Sequence, residues 1–301
     1  MLFSIETITA IVDIKLIVAI GLAIIPFIPW FFIFSYRNSK RKYKLRLFSA
    51  FILAAGLSWL FHEYIYILEP YFTNLKSSKI LDKQWLIFFY FILLFGLKEI
   101  IKLIITIIMG FRFFQNIDEV IRLACIVALG FSFGENIVLY FQTFSEGIKD
   151  YLDFGKTFVI YSFFYPPVYI FCSGILAYFY GLGLFASVEL REKIQSQQWL
   201  KLGVVLRKVI PWAEQEVFRL EKVIIGLAIA SFFSGFYFFV DHLEIKVNTV
   251  ASLLGYQVPA VVNWQLIPFI GMLYFTYGSI YLFFLMDRKN RYKKQDLLIK
   301  K

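Results

Sequence analysis

The runs LLFGLKEIIKLIITII (93–108) and VALGFSFGENIVLYF (127–141) each hold a glutamate, Glu99 and Glu135, inside a stretch apolar enough to cross a bilayer. An ionised carboxylate at membrane depth costs several kcal/mol unless it is paired, protonated or turned toward a polar cavity. Each acid is therefore a candidate functional residue, and the runs that hold them read as membrane helices.

Outward from these two runs the whole chain has the same character. Of its 301 residues 60% are apolar and 21% aromatic, far from the composition of a soluble domain. The expected fold is all-α, a polytopic transmembrane helix bundle of seven or eight spans. Seven runs meet or nearly meet the roughly 20 residues that a span needs: 16–35, 47–68, 85–109, 119–143, 157–188, 222–243 and 264–286. The fifth is long for one straight span and contains Pro166-Pro167, which should kink or break it. The opening MLFSIETITAIVDIK lacks the basic start of a secretory signal, so the first helix is expected to stay in the mature chain.

Charge supplies an orientation. With the N-terminus outside, the cytoplasmic segments 36–46, 110–118, 189–221 and 287–301 hold 6, 1, 6 and 7 Lys/Arg. The external segments 1–15, 69–84, 144–156 and 244–263 hold 1, 3, 2 and 1. Twenty against seven follows the positive-inside bias. The net charge of +10 then reads as topology and attraction to an anionic inner leaflet. No nucleic-acid recognition pattern accompanies it. A single transmembrane domain over 1–301 is expected, with an amphipathic cytoplasmic segment at 189–221 and a basic cytoplasmic tail at 287–301. Cys125 and Cys172 lie inside apolar runs and read as small hydrophobes.

Within the third run, Lys98-Glu99-x-x-Lys102 puts Glu99 one helical turn from Lys102, close enough to pair, and sets Lys98 four residues from Lys102. Such a group serves equally as a purely structural ion cluster, as a cytoplasmic-side charge cluster or as part of a site. In the fourth run Phe131-x-x-x-Glu135-Asn136 overlaps Gly130-x-x-x-Gly134. Glycines four apart clear one helix face for a close backbone approach. Glu135 borders that face.

KEIIK, the acidic stretch QNIDE and LGFSFGENIVLY, in that order, resemble the PrsW family of intramembrane metalloproteases, relatives of the membrane-embedded CAAX-type prenyl proteases. That family runs an EExxK helix, an acidic loop, a glycine-rich span with FxxxEN, a span with a histidine and a later histidine motif. The basic loop 37–46 followed by LFSAFILAAGLSWLFHEY is similar to its opening helices, so the resemblance covers roughly residues 20 to 245. It implies peptide-bond hydrolysis in a membrane protein or peptide substrate, a divalent metal (zinc), and a home in a bacterial plasma membrane. It also implies Glu99, Glu135 and Lys102 as catalytic residues, Glu99 and Glu135 as metal ligands, and a cavity lined by Phe131, Asn136 and Tyr169. His242, in Asp241-His242, corresponds to the later histidine motif, and His62 is a further candidate ligand outside the family pattern.

Two positions depart from the family. Lys98 replaces the first glutamate, and Tyr169 stands where a histidine is expected. A hydrolytic zinc takes three protein ligands and an open position for water, and the chain has 2 histidines. At 1.5 Å per residue Glu135 lies ~12 Å, His62 ~9 Å and Glu99 ~21 Å below the outer ends of their spans. An ammonium ~6 Å from a cation site opposes it by about 3 kcal/mol per unit charge at an effective dielectric of about 20, so Lys98 is expected to turn away, ~100° round the helix from Glu99. Three readings follow: a PrsW-like protease, a catalytically inactive relative that binds or regulates membrane proteins, and a transporter using Glu99, Lys102, Arg122 and Glu135 as relays.

Overall fold

A backbone removed from water must satisfy its own N–H and C=O groups, and an apolar run does so as a helix. The computed structural model describes residues 14–35, 41–77, 83–147, 154–155, 158–185 and 214–253. In chain order these form α1 (Ile14–Ile24), α2 (Phe27–Ser35), α3 (Arg41–Ser77), α4 (Lys83–Gly110), α5 (Ile117–Glu146), a π turn (Ile160–Phe164), α6 (Tyr165–Phe185) and α7 (Glu214–Leu253). Six of the seven expected runs fall on these helices. The seventh run (264–286), most of the 189–221 segment and the 287–301 tail lie outside the described residues.

Four stretches, Lys44–His62, Ile117–Glu146, Tyr161–Phe185 and Glu214–Phe239, are each long and apolar enough to cross a membrane. The pair α1 and α2 is long and apolar enough when taken together, and is bent by 50° where Pro26 interrupts the helix, as in a broken span or a re-entrant loop. The chain is an integral membrane protein with an all-α fold. α4 occupies the third run with its charges turned inward: Leu93, Leu97, Ile100, Ile104 and Ile108 are exposed at helical spacing, while Lys98, Glu99 and Lys102 are buried. An apolar outside over a polar inside is what a lipid surround demands.

The expected break at Pro166-Pro167 takes another form. The irregularity is the π turn just before the prolines, and the prolines themselves fall in the first turn of α6. α5 begins with a cap built from the acidic stretch QNIDE. Asn116 Oδ1 accepts from the Glu119 N–H at 2.9 Å, and Glu119 Oε2 accepts from the Gln115 N–H at 2.8 Å. This reciprocal pairing is close to a capping box and places acidic charge at the positive end of the helix dipole.

The chain divides into two compact units, residues 1–81 with 126–169 and residues 82–125 with 170–301. In the first, the glycine prediction is met: a Cβ on Gly130 would collide with the Phe51 carbonyl and one on Gly134 with the Ala55 carbonyl, so α3 backbone lies directly on α5. Phe133 packs there against Phe27 and Phe51, with ring centroids 5.6 and 5.2 Å away. In the second, α4 and α7 pack together. Phe95 stacks on Phe238 at 4.0 Å, and Gly235 lets α7 meet the Ile92 backbone, where a Cβ would come within 2.7 Å of Cα.

Candidate functional site

Every residue from Val120 to Gly134 is buried, as expected of a helix that is apolar on all sides. One residue further on, the half-buried Glu135 accepts a hydrogen bond at Oε2 from the Tyr169 hydroxyl at 2.5 Å. Phe131 and Asn136 are buried on the same helix; Phe131 packs 6.2 Å from Phe61, and Asn136 Nδ2 donates to the Tyr161 carbonyl at 3.1 Å. Glu135, Tyr169, Asn136 and Phe131 all belong to the first unit.

The second group lies in the other unit. Glu99 is 0% exposed and Lys102 1% exposed, and Lys102 Nζ lies 2.5 Å from Glu99 Oε1. The Ser173 hydroxyl donates to Glu99 Oε2 at 2.8 Å, so both carboxylate oxygens are engaged. Thr106 Oγ1 donates back to the Lys102 carbonyl at 2.8 Å. Helical spacing produces the ion pair directly, since residues three apart are neighbours on one face. Lys98 takes a different course, its Nζ lying over the Phe95 ring 4.5 Å from the centroid, a cation–π contact one turn back along α4. Cys125 and Cys172 are buried free thiols, as the sequence reading expects.

Ser173 is the partner that sequence reasoning missed. A serine in an apolar helix commonly bonds its own i−4 carbonyl, so its presence alone points nowhere. Of the two histidines, His62 is half-buried on α3, and His242 falls on α7, where only the backbone is described.

A divalent metal would need three protein donors. Among the described residues no three His, Cys, Asp or Glu side chains are grouped to hold one. Glu99 already meets an ammonium on one oxygen and a hydroxyl on the other. The donor set as described does not fit a hydrolytic zinc. Residues 43–209 match the family model described as PrsW family intramembrane metalloprotease, a stretch that includes Glu99, Glu135, Tyr169 and His62 but ends before His242. No curated protein and no solved structure matches the chain.

Proposed function

The chain belongs to the PrsW family of intramembrane metalloproteases, and from that premise we propose that it hydrolyses a peptide bond of a membrane-associated protein or peptide, with Glu135 and Glu99 as its working carboxylates. The observation that carries the reading is the retention of both acids within apolar helices of the family-matched stretch, Glu99 with no exposure at all. Buried carboxylates are costly to keep without a use or a partner. Glu135 is the residue assigned to proton transfer with the attacking water, and the Tyr169 hydroxyl orients its carboxylate. Lys102 fixes Glu99 and sets the local charge.

The family's chemistry uses a divalent metal, for which zinc is the proposed identity; the described donors do not make up its ligand set. The setting proposed is a bacterial plasma membrane, with the N-terminus outside, the basic tail in the cytoplasm, and the basic loops against anionic inner-leaflet lipid. The whole chain is proposed to act as one transmembrane domain, with 189–221 on the inner surface.

One observation favours a second reading, that of a catalytically inactive relative which binds or regulates membrane proteins. Lys102 and Ser173 occupy both oxygens of Glu99, while Lys98 and Tyr169 replace an acid and a histidine of the family. The two are separated by mapping new protein N-termini in membranes expressing the wild type or Glu135→Gln, alongside elemental analysis of the purified proteins and of Glu99→Ala. Protease action predicts fragments that vanish in Glu135→Gln at near-normal abundance, and about one metal per chain. Identical fragment patterns, with no metal bound after zinc reconstitution, refute it in favour of the second reading.

A further inference from the structure

Asn136 directly follows Glu135, and its amide reaches out of α5 to the Tyr161 carbonyl, inside the π turn Ile160–Phe164. In a π turn the carbonyl is matched to the amide five residues on. Five residues after Tyr161 is Pro166, which has no N–H. The Asn136 side chain gives this carbonyl a donor that position 166 cannot supply. One turn further along α5, the Tyr140 hydroxyl shares a hydrogen bond with Ser162 Oγ at 2.7 Å. Tyr169, early in α6, then donates to Glu135. Three side chains of α5, at 135, 136 and 140, thereby hold positions 169, 161 and 162.

The register matters because a π turn inserts one extra residue, and one residue rotates a helix by about 100°. If the turn relaxed, the hydroxyl at 169 would leave Glu135. We infer that Asn136 is a positioning residue: by providing the donor that Pro166 lacks, it holds the π turn in register and keeps the Tyr169 hydroxyl on the Glu135 carboxylate. For function this rests on the reading of Glu135 as a working carboxylate; the geometry does not.

The test uses the full chain in detergent and needs no substrate. Dicyclohexylcarbodiimide, an apolar reagent for buried carboxyl groups, is applied to the wild type, Tyr169→Phe, Asn136→Ala and Asn136→Ala/Pro166→Ala, and the adduct at position 135 is quantified by mass spectrometry. Loss of one hydrogen bond to a carboxylate is expected to raise the labelling rate about tenfold in both Tyr169→Phe and Asn136→Ala. Restoring an N–H at position 166 should return Asn136→Ala toward the wild-type rate. A wild-type rate in Asn136→Ala, or a double variant labelled as fast as Asn136→Ala, overturns the inference. Should Asn136→Ala fail to accumulate, recovery of folding and of slow labelling in the double variant supports it, and failure of that recovery overturns it. Labelling is independent of proteolysis: if Glu135→Gln leaves the fragment pattern intact, the proposed function falls, while the labelling result still decides the role of Asn136.

Discussion

Replacing Lys102 by methionine tests whether the Glu99 cluster is a single energetic unit. The two side chains are 1% and 0% exposed, with nitrogen and oxygen 2.5 Å apart, so the substitution leaves a buried carboxylate without its ammonium. Breaking a buried pair from one side costs about 3–5 kcal/mol. The Ser173 hydroxyl still donates to the other oxygen, which places the expected loss near the lower end, ~3 kcal/mol, or roughly a hundredfold in the unfolding equilibrium. Glu99→Gln alone should cost a similar amount, because it leaves the ammonium buried instead. In Glu99→Gln/Lys102→Met the amide oxygen keeps the Ser173 bond and no charge is stranded, so the double variant is expected within about 1 kcal/mol of the wild type. The assay is reversible unfolding by SDS in mixed micelles, followed by far-ultraviolet circular dichroism. A coupling above ~2 kcal/mol between the two sites supports the reasoning. Additive losses, or a Lys102→Met variant within about 1 kcal/mol of the wild type, refute it.

The glycine contacts predict a contrast within the first unit. Gly130→Ala and Gly134→Ala each drive a Cβ into an α3 carbonyl and should destabilise by about 1–3 kcal/mol in the same unfolding assay, whereas Gly56→Ala, which meets nothing within 4 Å, should be neutral or stabilising by up to ~1 kcal/mol. The N-outside, seven-span topology predicts that cysteines introduced at positions 40 and 290 react from one side of the membrane and those at 150 and 250 from the other; labelling of all four from one side would rule the map out.

Much of the helical framework was legible because a membrane leaves the backbone few alternatives. Six apolar runs of spanning length fall on helices, two of which (41–77 and 214–253) extend 6 to 10 residues past the expected limits at each end, and Gly130-x-x-x-Gly134 identified in advance a face on which another backbone rests. Less legible were features whose meaning depends on a partner. QNIDE reads as an acidic loop, yet Asn116 and Glu119 serve the start of α5 as a cap. Pro166-Pro167 reads as a break, yet the first helical turn absorbs both prolines and the irregularity appears as the π turn before them, where Asn136 supplies the donor.

Within the candidate site, the pairing in the charged cluster was legible from helical spacing. Lys98 and Lys102 are the same residue type on the same helix, one and three positions from Glu99. Helical geometry turns adjacent residues ~100° apart and brings residues three apart together, so the spacing alone pairs Glu99 with Lys102 and turns Lys98 away. Lys102 accordingly takes the carboxylate, while Lys98 lies over Phe95. Lys102, inside the family-like KEIIK motif, is the ammonium that meets Glu99. A metal competing for this carboxylate must displace an ammonium at 2.5 Å and a hydroxyl at 2.8 Å. Removing Lys102 while keeping Glu99 is thus the substitution that separates a carboxylate held by its own lysine from one held ready for a cation.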